Sequence, residues 1–285
     1  MAQTTINTTE LTQEQVSSFL VAPLEEQSKF LAAGPKIFDT ANALRIPKLP
    51  TTQAEQLQFV GELEQIPEVD ADFDEMHLLP STMKSVKVLT RFSNELARQS
   101  IVALDSVLQQ RLVADVAAKI DAQFLSDTGD GITTPRGLFA YQGTQDLAVD
   151  GALTLDAILE AQGLALGANV NPDGLTLFIR PEDYMGLRAL KDGDNRYMVQ
   201  PDATAGGLVV PLLGAKVAVS SRIPAGRAAL ADMSQIAVAR DVAPSVKILD
   251  QTFGDTDAQA IRVVTRMDAD AMNPEAVITF SGVTA

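Results

Sequence analysis

The chain has 285 residues, 46% of them hydrophobic and 21% charged, which is long enough to bury a sizeable core and too apolar for wholesale disorder. Its formal net charge of −15 comes from 37 acids against 22 bases with no basic run, which argues against a protein that grips nucleic acid through its phosphates. The absence of cysteine excludes disulfides, thiolate nucleophiles and Cys-based metal sites, and imidazole chemistry would have to run through the single histidine, His77.

No apolar run approaches the roughly 20 residues that span a bilayer. The polar start, "MAQTTINTTELTQEQ", lacks the basic and apolar regions of a signal peptide, so synthesis in the cytosol is expected. In "LTQEQVSSFLVAPL", Thr12 and Gln15 have capping-box spacing ahead of Val16, Phe19 and Leu20, which predicts one helix in an extended arm. Gly34-Pro35 ends the next segment. Two prolines in "LRIPKLPTTQ" require extended chain.

Residues 55–92 read as a long hairpin-like excursion. Within it "PEVDADFDE" alternates strictly: Val69, Ala71 and Phe73 on one face, Glu68, Asp70, Asp72 and Asp74 on the other. Lys84 and Lys87 lie in a further extended piece, "STMKSVKVLTRFS". So lightly apolar a hairpin must lie on something else.

Residues 100–126 give the clearest helix. Leu104, Leu108, Leu112, Val116, Ile120 and Phe124 recur every four residues, widened by Val107 and Val113, and "DTGDG" ends the pattern. A second helix over 152–170 takes Thr154 as N-cap, "GLTLFIR" is a short strand, and "PEDYMGLRALK" is a helix opened by Pro181. "GLVVPLLG", "AKVAVSS", "AALADMS", "IAVARD" and "VKILD" read as strands, followed by one long strand in "DAQAIRVVTRMDADAMN" and a terminal one in "AVITFSG". The class is α+β, without an internal repeat.

No motif supplies chemistry. Counting a calcium loop from Asp70 puts Glu75 where glycine is needed and Ser81 where glutamate is needed. "KDGDNRY" fails too, because Arg196 stands where an acid is required; Gly193 then supplies the turn after the helix, and Arg196 and Tyr197 open the next segment. GxxxxGK, GxGxxG, GxSxG and HExxH are all absent. No catalytic residue, cofactor or metal is expected, and His77 reads as a packed or exposed residue.

Several stretches together resemble the HK97-type major capsid proteins of tailed bacteriophages. The helix with "DTGDGITTPRGLF" is similar to the family's spine helix and glycine loop. "LFIRPEDYMGLRALKDGDNRYM", "GGLVVPLLGAKVAVSSRIPAG" and "RMDADAMNPEAVITFSG" follow in the family's order, so the resemblance covers about residues 45–282. It implies an N-terminal arm (1–46), an E-loop (47–92), a P-domain with the spine helix (93–149), an A-domain (150–240) and return strands of both domains (241–285). It also implies hexamers and pentamers that close into an icosahedral shell around double-stranded DNA, with portal and cement proteins as partners.

Some members crosslink an E-loop lysine to an asparagine of another subunit, assisted by a glutamate. Near those positions this chain carries Glu75, Asp257 and Val264, so no covalent crosslinking is expected. The arm follows Met1 almost at once, which predicts a separate scaffolding protein. Glu68, Asp70, Asp72, Asp74, Lys84, Lys87, Arg196 and Tyr197 are the candidate inter-subunit contacts. An encapsulin-type compartment shell is the nearest alternative; an acid-based hydrolase and a tail-tube protein are more distant.

Overall fold

The computed structural model describes residues 28–48, 59–61, 74–93, 104–199, 209–241, 245–253 and 256–284. The helix expected after Thr12 and the alternating acids Glu68, Asp70 and Asp72 lie outside these residues.

A one-turn helix, α1 (Lys29–Ala32), opens the described chain, and Gly34 leaves it in the left-handed region at φ 90°. Strand β1 (Lys36–Thr40) pairs in parallel with β9 (Ile236–Asp241), which pairs antiparallel with β12 (Met267–Ala271). An Arg240–Asp39 ion pair with contacts of 2.6 and 2.9 Å sits across the β1–β9 register. The base of the excursion is a two-stranded ribbon, β2 (Leu44–Lys48) with β3 (Asp74–Leu78), antiparallel. Strand β4 (Val86–Ser93) then edges an antiparallel sheet with β11 (Ala258–Thr265) and β10 (Ser245–Phe253), in the order β10-β11-β4.

The long helix α2 runs from Leu104 to Phe124, 21 residues or about 30 Å. Its stripe of Leu112, Val113, Val116, Ala117, Ile120 and Phe124 is buried with Phe92, Ile261 and Val263 of the β10-β11-β4 sheet. Beyond it, β5 (Gln145–Gly151), α3 (Leu155–Gly167), β6 (Leu175–Ile179), α4 (Pro181–Arg188), β7 (Lys216–Val219), β8 (Arg227–Asp232) and β13 (Val277–Val283) form a unit around a five-stranded sheet of order β5-β13-β8-β6-β7. Thr154 caps α3, accepting the Ala157 N–H at 3.2 Å, and Pro181 opens α4.

This sheet divides two cores. Phe178, Ala229, Ala231 and Val277 face the α2 core, while Leu177, Leu230, Ile278 and Phe280 face a core shared with Ile158, Ala161 and Ala165 of α3. A strand buried on both sides needs a nearly continuous apolar run, and "LTLFI" in β6 supplies one broken only by the buried Thr176.

Four stretches differ from expectation. The 258–271 stretch is two strands in two sheets, because the chain changes partner at Arg266, whose carbonyl accepts the Asp241 N–H at 2.9 Å. The period-two pattern continues through the change, so the sequence carries no mark of it. "GLVVPLLG" contains no strand in its described residues: Leu212 bridges Ala215 around a turn in which Leu213 (φ 50°) and Gly214 (φ 83°) are left-handed. Strands β1 and β5 were not expected; β1 lies inside the presumed arm, where its polar ends hide a short apolar centre at Ile37 and Phe38.

Candidate assembly surfaces

Three ties hold the described segments to one another. The first joins α1 to α2. Asp121 projects from the buried side of α2 and accepts the Ser28 hydroxyl at 2.6 Å, the Lys29 N–H at 2.9 Å and the Phe30 N–H at 3.2 Å. A carboxylate at a helix N-terminus satisfies donors that have no intrahelical acceptor. The clamp seats Phe30, fully buried, 5.1 Å from the Phe124 ring and 6.2 Å from that of Phe178. One aromatic side chain thereby links the long helix to the five-stranded sheet.

The second tie is the loop after α2. Asp130 accepts the N–H groups of Ile132, Thr133 and Thr134 at 2.8–3.0 Å and the Thr133 hydroxyl at 2.8 Å. These bonds, the Thr134 N–H foremost, hold its carboxyl well below the usual range. The loop then closes on itself. A Cβ on Gly137 would lie 2.0 Å from the Ser126 carbonyl oxygen, and one on Gly129 would lie 2.1 Å from that of Pro135. The loop also grips the start of the β4 segment: the Thr82 hydroxyl donates to Ile132 O at 2.7 Å and the Lys84 N–H to Thr133 O at 3.0 Å.

The third tie lies at the foot of the excursion. Asp268 on β12 is buried and accepts the Leu79 N–H at 2.8 Å and the Ala269 N–H at 3.0 Å. Leu79 is left-handed at φ 55°, unusual for a residue of its bulk. Burial pushes the Asp268 carboxyl up to about 6 despite these two bonds; nearby Asp270 adds to the rise and Arg136 opposes it. Burial, then Asp270 and Asp268, likewise raises the Tyr141 hydroxyl.

The sequence-derived contact residues are dispersed. Asp74 opens β3 opposite Lys48. Lys84 is exposed beside the Asp130 loop, and Lys87 is exposed on β4 opposite Val264. Arg196 and Tyr197 belong to a separate exposed turn in which the Asp192 carboxylate accepts the Asp194 N–H at 2.9 Å and the Arg196 N–H at 2.8 Å. The left-handed residue there is Asn195, at φ 63°, and not Gly193. Asn tolerates that region through its short polar side chain. Tyr197 is 54% exposed, and the Lys191 ammonium lies 5.0 Å from its ring centroid. His77 is exposed, 3.7 Å from the Glu75 carboxylate, which also lies 3.8 Å from Arg45.

Sequence reasoning missed Asp121, Asp130 and Asp268. Asp121 had a detectable signal, a lone carboxylate one turn beyond Ala117 on an apolar helix face. Among the described residues no group of three or more His, Cys, Asp or Glu side chains could hold a metal ion, and no helix is long and apolar enough to cross a membrane.

What remains is a protein built of ties and exposed faces. The phage capsid family profile matches residues 10–282, and the chain belongs to that family. Its role is structural, that of a major capsid protein forming an icosahedral shell. The fold agrees. It superposes on the capsid of a native GTA particle with a TM-score of 0.70 at 14% identity, covering 100% of this chain and 95% of that one. A chain from Mycobacterium phage Bobi gives 0.71 at 18% identity, covering 90% and 91%, and one from Mycobacterium phage Cain gives 0.65 at 17%, covering 97% and 100%. A search of curated proteins returned no match. The encapsulin alternative is not favoured by these matches.

Proposed function

We propose that this capsid subunit is of the HK97 type and assembles as hexamers and pentamers into a shell that encloses double-stranded DNA without reading its sequence. Residues 1–46 serve as arm, 47–92 as E-loop, 93–149 as P-domain, 150–240 as A-domain and 241–285 as return strands. The observation that carries this reading is a family match over nearly the whole chain, joined to a described surface with apolar side chains in the open. Phe59, Ile132, Leu159 and Leu166 are each at least half exposed, which a subunit covered by neighbours accounts for. The charge of −15 suits a lining that must not adsorb packaged DNA.

Subunit contacts are non-covalent in this proposal, since Glu75, an exposed acid, stands near the position of the lysine that some relatives crosslink. Scaffolding, portal and cement functions are assigned to separate proteins. The subunit is made in the cytoplasm of the bacterial host and ends in the virion. Electron microscopy of the expressed chain tests the reading: closed shells tens of nanometres across support it, and uniform particles of one to a few subunits contradict it. Denaturing electrophoresis of mature particles tests the details, with one full-length band expected. Higher bands would contradict non-covalent assembly, and a shortened band would contradict separate scaffolding.

A further inference from the structure

The corner between the β2–β3 ribbon and β4 hangs between two unlike anchors. Leu79, fully buried and left-handed, follows β3, and the Met83 N–H closes a turn on Pro80 O at 2.9 Å. On one side Thr82 and Lys84 bond the backbone of Ile132 and Thr133 in the loop after α2. The Asp130 carboxylate braces that loop and stays ionised across the ordinary pH range, because N–H and hydroxyl donors surround it. On the other side the Leu79 N–H donates to Asp268, whose charge is far less secure. Asp268 stands opposite Ala239 and Asp270 opposite Ala237 in the β12–β9 register. Both carboxyls therefore rise from the face that carries Met76, Leu78, Leu79 and Met83. The two Asp268 oxygens accept backbone N–H groups, and among the described residues no cation pairs with it. A carboxylate 2% exposed, in apolar surroundings and beside a like charge, favours its proton.

The other charged and titratable groups nearby are few. Arg136 in the loop after α2 opposes the proton, and the buried Tyr141 hydroxyl has no partner among the described residues. Lys36 of β1 is exposed, in one cross-strand row with Ala237 and Asp270. Arg45, Glu75 and His77 alternate with Leu44, Met76 and Leu78, and so lie on the far face of the ribbon. Arg240 shares the opposite face of β9 with Val238 and pairs with Asp39. We infer that Asp268 is a proton-operated latch on the ribbon: protonated, it keeps the Leu79 corner shut; ionised, it favours opening of the corner to water. Opening hydrates the carboxylate and releases Leu79 from a backbone region that suits its bulk poorly. The N–H bonds favour the charged form, but burial prevails and sets the carboxyl at about 6. The closed corner is thus most favoured below the ordinary 3.8, and that advantage is lost as pH rises through about 6. The ribbon is loosest at neutral pH, while the loop after α2 keeps its own hold on the chain.

Exchange of the Leu79 amide hydrogen, corrected for its intrinsic pH dependence, reads the latch in the unassembled full-length subunit. Opening of the corner should increase about tenfold between pH 5 and pH 7 and level off above that. Asp268→Asn keeps an acceptor for the Leu79 N–H without a titrating proton, so its opening should change by less than about twofold over the same range. Asp270→Asn should move the midpoint of the wild-type profile to lower pH and Arg136→Gln to higher pH, because the two groups act on Asp268 with opposite sign. A residue with a merely structural role would move neither midpoint. Parallel profiles in the wild type and Asp268→Asn would overturn the inference. So would midpoints that stay fixed in both the Asp270 and Arg136 variants, or an equal rise in exchange across β6, β8 and β13, which would mark unfolding of the whole subunit. If Asp268→Asn does not fold, the opposed shifts of the other two variants decide the question.

Discussion

The five-stranded sheet and the three-stranded β10-β11-β4 sheet solve the problem of burial in opposite ways. In the first, β6 is buried along its whole length, and β8 and β13 nearly so, with one core on either side. In the second, Phe92, Ile261 and Val263 are buried toward α2, and β4 alternates exposed and half-buried positions up to Phe92. The first sheet completes itself within one chain. The second, with the ribbon at the foot of the excursion, leaves work for a neighbour. A shell subunit needs both: a body stable enough to be made alone, and faces whose stability comes with assembly.

The largest expected effect lies where the two regions join. Phe178→Ala would open a cavity between the Phe30 ring and the sheet and should cost about 3–5 kcal/mol, read as a fall in the unfolding midpoint of the unassembled subunit. If the cost were under about 1 kcal/mol, the join would be soft and the contrast overstated. Asp121→Ala removes acceptors for three donors around α1 and should cost about 1–3 kcal/mol in the same measurement. Its loss should increase hydrogen exchange in 28–33 well before that of the five-stranded sheet.

Asp268 gives the foot of the excursion a pH dependence of definite sign. Its folded value of about 6 exceeds the ordinary 3.8, so the folded state holds its proton more tightly than the unfolded one. Its contribution is most favourable below about 4 and is lost as pH rises through 6, by about 3 kcal/mol at most. Asp268→Asn should flatten the stability profile between pH 4 and 6. An unchanged slope would mean that this carboxyl titrates normally. The smallest effect belongs to the exposed turn: Tyr197→Ala removes a cation–π contact with Lys191 and should cost about 0.5 kcal/mol or less in the isolated subunit.

The sequence made the body legible and the joins obscure. The four-residue repeat of α2, Thr154 as cap, Pro181 at a helix start and the apolar run of β6 are local patterns, and each appears where its pattern lies. The joins depend on partners far along the chain. Asp268 meets Leu79 across 189 residues, and Asp121 meets Ser28 across 93, so no local window contains either contact. The change of sheet at Arg266 was hidden for the same reason. Resemblance to a family named the class, and the residues that tie this chain together had to come from the structure. Of the candidate contact residues, Lys87 joins Arg91 and Arg262 on one face, whereas Lys84, Arg196 and Tyr197 stand elsewhere.

Hydrogen exchange measured on the subunit before and after assembly tests the contrast most directly. Protection in β6, β8 and β13 should already be high in the unassembled subunit and change little. Protection in β4, β10, β11 and the β2–β3 ribbon should rise on assembly, by tenfold or more. Equal gains in both regions, or gains confined to the five-stranded sheet, would contradict the division between a self-sufficient body and faces completed by neighbours.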